Sequence, residues 1–82
     1  MTNPCREVLI VPRVLAAMEA GHPTDTEREA IRTVLAELGT DLSRAYRIFF
    51  VNPATYRIDV GRFRIHFRYD EKQVQVGFVG VY

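Results

Sequence analysis

The sequence predicts an α+β fold in which a first strand and a helical hairpin precede an antiparallel meander of strands. Apolar residues recur at helical spacing only in the first half of the chain. Polar and apolar residues alternate strictly from Tyr56 to Tyr69, and turn-forming residues separate the segments. Eighty-two residues leave no room for a second core, so we expect a single domain over residues 1–82.

The first strand is predicted over Glu7–Val11, a short β-branched run that Pro12 ends. Proline can also occupy the first position of a helix, so a short helix is expected over Arg13–Ala20. Gly21 follows the last apolar residue of that pattern, and we expect it to end the helix.

A second helix is predicted from about Asp25 to Leu38. Thr24 and Glu27 have the spacing of a capping box, which satisfies backbone donors at a helix start. Gly39 is placed to end the helix in a left-handed conformation. Four apolar residues share one face of this helix and should pack on the sheet. They are Ile31, Val34, Leu35 and Leu38.

The second half of the chain is predicted to form the meander. The expected strands are Arg47–Val51, Tyr56–Val60, Phe63–Tyr69 and Val74–Val81. Gly61 and Arg62 suit a two-residue type II′ turn, which would pair Asp59 with Arg64 and Arg57 with His66.

The next turn, at Asp70 and Glu71, sets the register of the last hairpin. We expect three apolar pairs on the helix-covered face. They are Phe67 with Val74, Ile65 with Val76 and Phe63 with Phe78.

Alternation places the polar residues of these strands on the opposite face. Guanidinium groups at strand spacing can bind phosphates, and His66 could transfer a proton near neutral pH. Arg64 and His66 are the candidate catalytic residues. The alternative is a solvated outer face with no special task. The candidate binding face consists of Arg57, Arg62, Arg64, His66, Arg68, Gln75 and Tyr82.

Charge and composition narrow the class of protein. The net charge of +1 divides into −2 over residues 1–40 and +3 over residues 41–82, so positive charge concentrates on the sheet half. Cys5 is the only cysteine, which favours a reducing cytoplasm over secretion. The sequence shows no signal-peptide pattern, no apolar run long enough for a membrane span and no cofactor motif, so we expect none of these features. We therefore expect a cytoplasmic protein with neither metal nor cofactor.

The segment from Tyr56 to Tyr69 resembles the RelE/ParE superfamily of bacterial toxins, whose middle hairpin follows the pattern Y-R-[IL]-x-V-G-x-[FY]-R-[VI]-x-[FY]. The resemblance implies a toxin–antitoxin system, an antitoxin segment over the basic face, and nucleic acid, the ribosome or DNA gyrase as the target. In messenger-cleaving members the arginine matched by Arg64 helps to hold the scissile phosphate. The family ends in V-G-[HK]-R, but Val81 and Tyr82 replace that terminal basic pair.

The missing basic pair makes this chain a divergent relative, for which we expect no ribonuclease activity. A cleaving enzyme needs groups that neutralise the phosphate and move protons, and His66 would have to act almost alone. The alternative to a toxin is a catalytically inactive interaction module of the same fold, or a homodimer that uses an exposed edge strand.

Overall fold

The computed structural model describes residues 5–52 and 54–81. It confirms the predicted α+β class and the order of elements. Proline starts the first helix one residue earlier than predicted, and the other boundaries lie within two residues of the expected ones. The elements are β1 (Glu7–Ile10), α1 (Pro12–Ala20), α2 (Asp25–Glu37), β2 (Tyr46–Phe49), β3 (Thr55–Val60), β4 (Phe63–Tyr69) and β5 (Gln73–Val81).

The described strands form one five-stranded sheet in the order β1-β5-β4-β3-β2. β1 runs parallel to β5, and the other neighbours are antiparallel. The two helices cover one face, which we call the inner face, and the opposite face is the outer face. β4 lies at the centre, and its inner side chains Phe63, Ile65 and Phe67 are at most 1% exposed.

The start of α2 forms as the sequence predicts. The hydroxyl of Thr24 accepts a bond of 3.1 Å from the amide of Glu27, and the Glu27 carboxylate accepts one of 2.9 Å from the amide of Thr24. These bonds satisfy donors that have no partner inside the helix. The predicted apolar face of α2 is buried in the core, and so are the sheet residues predicted to lie on the helix-covered face, except Phe78.

The prediction for the helix ends is wrong in one respect. α1 ends at Gly21 as predicted, but Gly39 lacks the predicted left-handed conformation. His22, the residue after Gly21, has a φ of 50°. Close packing explains the glycine at residue 39, because a Cβ there would lie 2.4 Å from the carbonyl oxygen of Arg6. The amide of Arg6 also donates to the Gly39 carbonyl at 2.9 Å. A glycine at this position lets the start of β1 approach the end of α2.

The β3–β4 hairpin has the predicted register. Gly61 has a φ of 58°, and Asp59 and Arg57 pair with Arg64 and His66 respectively. A glycine suits the left-handed first position of the turn because it has no Cβ.

The register predicted for the β4–β5 hairpin is wrong. Phe67 pairs with Val76, and the next pair is His66 with Phe78, so Gly77 is an extra residue in a β-bulge. One inserted residue transfers every following side chain to the other face. Phe78 therefore points outward and is 40% exposed, while Val79 enters the core at 1%.

Arg62 joins the β3–β4 turn to the helices. Its Nε donates to the Glu27 carboxylate at 2.6 Å, and its Nη2 lies 3.1 Å and 3.2 Å from the carbonyl oxygens of Gly21 and His22. The Arg62 guanidinium, followed by the amide of Thr24, lowers the pKa of Glu27 to about 2. This contact connects the turn to the first turn of α2.

Replacing Phe67 by alanine should lower the free energy of unfolding by about 3–5 kcal/mol, because a buried ring leaves a cavity at the centre of the sheet. Chemical denaturation monitored by circular dichroism measures the change. The control is Phe50→Ala, which removes a ring that is 82% exposed. It should change the unfolding free energy by less than about 0.5 kcal/mol. Equal effects of the two changes would contradict the assigned core.

Glu27→Gln should remove part of the acid sensitivity of folding. With a folded pKa of about 2 against an ordinary value of 4.5, Glu27 contributes stability that is complete above pH 4.5. That contribution is lost as the pH falls towards 2. The stability gap between wild type and Glu27→Gln should therefore narrow over this interval, as thermal melting at a series of pH values would show. The control is Glu29→Gln, a change at an exposed residue of the same helix, and its stability should depend on pH as that of the wild type does.

Candidate functional site

The outer face of the sheet carries most of the predicted binding residues. Strand pairing places Arg57 opposite His66 and Arg68 opposite Gln75. Arg64 shares the face because it is two residues from His66 along β4. These five residues form one surface, as the alternating pattern predicts.

One described residue of the predicted binding face does not join this surface. Arg62 turns towards α2, where its guanidinium binds Glu27. Tyr82 lies outside the described residues. The shared surface therefore consists of residues from β3, β4 and β5, without the β3–β4 turn.

One part of the outer face is a paired charge cluster around Asp59. Nε of Arg57 lies 3.2 Å and Nε of Arg64 lies 3.9 Å from the Asp59 Oδ1 atom. The hydroxyl of Tyr46 donates to Asp59 Oδ2 at 3.1 Å, and the Arg57 guanidinium lies 4.6 Å from the centre of the Tyr46 ring. Asp59 therefore already neutralises part of the charge that the sequence suggested for phosphate binding.

The other part of the outer face is a groove of about 670 Å³, which we call the outer groove. It crosses all five strands at the end of the sheet where β1 meets α1. Its side chains are apolar, basic or neutral polar, and no carboxylate lines it among the described residues. The apolar side chains are Leu9, Val11, Phe49 and Phe78, and the polar ones are Arg13, Thr55, His66, Arg68 and Gln75.

Arg13 and Arg68 supply the positive charge of the outer groove. Both side chains belong to exposed residues, and neither makes an ion pair within the described part of the chain. A ligand that enters the outer groove therefore meets two cations with no acidic competitor. This combination favours a partner segment with both apolar and acidic side chains.

His66 lies between the outer groove and the paired charge cluster. Burial, and then the charges of Arg57 and Arg64, lower the pKa of its imidazole, while Asp59 acts in the opposite direction. Its ring packs 5.1 Å from the ring of Phe78. Nε2 is buried, and among the described residues it has no hydrogen-bond partner. The lowered pKa favours the neutral form of the His66 imidazole and makes it a weaker proton acceptor than an exposed histidine.

The observed β4–β5 register, in which Val74 pairs with Tyr69 and the bulge adds one further residue, changes which glycine faces Arg64. Gly80, rather than Gly77, is its cross-strand partner. The ring of Phe78 covers Gly80, because a Cβ on that glycine would lie 2.5 Å from the Phe78 Cζ atom. The backbone beside Arg64 is thus shielded by an aromatic ring, and ligand access shifts towards Arg68.

Sequence reasoning missed the apolar part of the outer groove. Phe78 was assigned to the core because the bulge has no strong sequence signal beyond Gly77 inside a strand pattern. Leu9 and Val11 lie on the sheet edge, and only the parallel pairing of β1 with β5 brings them beside Gln75 and Gly77.

The structure shows neither a metal cluster nor a membrane helix in residues 5–52 and 54–81. No three His, Cys, Asp or Glu side chains converge there in a way that could hold a metal ion. Neither of the two helices is long and apolar enough to cross a membrane.

No protein-family model matches the chain, and a search of curated proteins finds no significant match. The function must therefore be argued from the site itself.

Arg57→Ala should raise the pKa of His66 towards its ordinary value of 6.5, because it removes the positive charge that lowers this pKa most. A titration of the His66 ring signals by nuclear magnetic resonance measures this change. Arg32→Ala, on the surface of α2, is the control and should leave the midpoint unchanged. A midpoint that stays constant or falls in Arg57→Ala would show that the arginine does not act on His66.

Proposed function

We propose that this protein is a RelE/ParE-like toxin-fold protein of a bacterial toxin–antitoxin system. It acts in the cytoplasm, where an antitoxin segment covers its outer face and holds it inactive. The observation that carries the proposal is the outer groove, a surface with apolar walls and the two cations Arg13 and Arg68. The resemblance of the β3–β4 hairpin to the superfamily supports the same assignment.

The chemistry of the outer groove favours a protein segment as the ligand that neutralises the toxin. Phe49 is 54% exposed and Phe78 is 40% exposed, so apolar side chains of a partner would remove a large apolar area from water. Acidic side chains on the same segment would pair with Arg13 and Arg68. An antitoxin with alternating or helically spaced apolar and acidic residues meets both requirements.

The cellular target of the proposed toxin is a nucleic acid, the ribosome or DNA gyrase. Messenger cleavage is not expected, because Asp59 already pairs with Arg57 and Arg64 and His66 packs against Phe78. A single imidazole would then supply all the proton transfer, and loss of one positioned acid or base costs about 10²–10⁴ in rate. Inhibition by binding requires none of this chemistry.

A second candidate is a catalytically inactive interaction module, including a homodimer. The end of β2 favours it, because β2 is an edge strand and Phe50 and Val51 just beyond it are 82% and 67% exposed. An exposed apolar edge of this kind is suited to pairing with a second chain.

Induced expression in a heterologous bacterium, with growth recorded, separates the two candidates. A toxin should arrest growth, and co-expression of an acidic, helix-rich protein encoded beside it should restore growth. Normal growth at confirmed soluble expression would contradict the toxin proposal. Sedimentation of the purified protein at several concentrations would then test the homodimer.

The variant Arg13→Ala/Arg68→Ala should weaken the binding of the acidic partner by at least about tenfold, since each removed cation loses a charged contact. Isothermal titration calorimetry at low and high salt measures the affinity and its ionic component. The matched control is Arg44→Ala, an exposed arginine outside the outer groove. If the double variant bound as tightly as Arg44→Ala, the partner would not occupy the outer groove.

A further inference from the structure

The arginines of this chain divide into paired and unpaired groups. Within residues 5–52 and 54–81, ion pairs engage Arg28, Arg32, Arg44, Arg57, Arg62 and Arg64. Four arginines make no ion pair there. Arg13 and Arg68 line the outer groove, whereas Arg6 and Arg47 lie at the inner face of the sheet. The second pair has no role in the function proposed above.

Arg6 and Arg47 flank two tyrosines at the end of the inner face. Tyr56 and Tyr69 lie on neighbouring strands with ring centres 4.9 Å apart, and both residues are half-buried. The Arg6 guanidinium lies 5.1 Å from the centre of the Tyr69 ring. Arg47 lies across from Tyr56 on β2, with its guanidinium 5.8 Å from that ring. We call this group, with Phe50, the tyrosine cluster.

Arg6 makes no ion pair with a described residue, although the charge of the nearby Asp70 carboxylate acts on it. Nε of Arg6 donates to the carbonyl oxygen of Asp70 at 2.7 Å, which leaves its Nη groups for a ligand. The nearby Asp70 carboxylate accepts from the amides of Lys72 at 2.7 Å and Gln73 at 2.9 Å, so it is engaged in the turn. An anion that approaches Arg6 would therefore find its guanidinium preorganised.

Phe50 supplies an aromatic surface beside Arg47. Its side chain is the most exposed large apolar one among the described residues, at 82%, and the Arg47 guanidinium lies 5.4 Å from its ring centre. Proteins that bind single-stranded nucleic acid stack bases on exposed aromatic rings and hold the phosphates with positively charged side chains. Phe50 and Arg47 provide one group of each kind. A site that binds only an anion would not need an aromatic ring.

We propose that the tyrosine cluster binds single-stranded nucleic acid. Arg6 and Arg47 each hold a phosphate of the bound strand, and a base stacks on Phe50. A phosphopeptide would satisfy the arginines but would leave the exposed ring without a planar partner, so the nucleic acid is the better match. The tyrosine cluster is separate from the outer groove, and the inference does not depend on the proposed toxin function.

The test is fluorescence anisotropy of a labelled twelve-residue oligouridylate titrated with the full chain. The wild type should bind at low salt, and Phe50→Ala should weaken binding by roughly 5- to 100-fold, the cost of one lost stacked base. Arg6→Ala and Arg47→Ala should each reduce the slope of log affinity against log salt by about 0.7, because each removes one phosphate contact. The double variant Arg32→Ala/Arg44→Ala, which removes two exposed arginines that belong to neither the tyrosine cluster nor the outer groove, is the matched control and should bind as the wild type does.

Competing ligands and folding controls make the outcome decisive. Inorganic polyphosphate, which has charge but no bases, should compete more weakly than unlabelled oligouridylate. Phe50→Leu keeps apolar bulk without a ring and should behave like Phe50→Ala, and circular dichroism should show that every variant is folded. The proposal would be overturned if polyphosphate competed as well as oligouridylate, or if a phosphoserine peptide bound more tightly. It would also be overturned if only the Arg13→Ala/Arg68→Ala variant of the outer groove lost binding. Absence of binding by the wild type at low salt would also overturn it.

Discussion

Both faces of the molecule depend on the pairing of β4 with its two neighbours. The inner side chains of β4 provide the centre of the core, and its outer side chains provide the centre of the polar face. A strand with strict alternation can have only one face towards the helices, so its core residues also determine where its arginines point. A slip of one residue would bury Arg64 and expose Ile65. The burial of the aromatic and aliphatic side chains therefore maintains the polar surface.

The bulge at Gly77 modifies this arrangement at a single place. It brings Val79 into the core and sends Phe78 outward, where the ring packs on His66 and covers Gly80. The exchange leaves the core apolar but adds an aromatic wall to a face that would otherwise be polar. An outer face with apolar and basic side chains together is suited to binding a polypeptide segment rather than to contact with water alone.

The arginines of this protein fall into two groups. Those in ion pairs hold parts of the structure together, and those without an ion pair are available to ligands. Arg62 joins a turn to a helix, and Arg57 and Arg64 share Asp59. Charges paired in this way orient side chains and set local pKa values, but they bind a second anion less readily because their own partner must first be displaced. The arginines that make no ion pair with a described residue lie in two separate places, at the outer groove and at the tyrosine cluster. One small sheet therefore presents two surfaces of similar charge and different shape.

Local signals in the sequence were sufficient to predict the helices and strands and the sheet face on which the arginines of β3 and β4 lie. The Thr24 and Glu27 pair defined the start of α2, Gly61 defined the β3–β4 turn, and alternation defined the two faces, since each depends on residues close together in the chain. The tertiary structure alone decided the β4–β5 register, the pairing of Arg62 with Glu27, and the outer groove. These features join residues that are distant in sequence, and their geometry follows from how helices and strands pack. A bulge of one residue costs little locally, so the pattern of Val74 to Val81 could not reveal it, yet it reverses every side chain that follows.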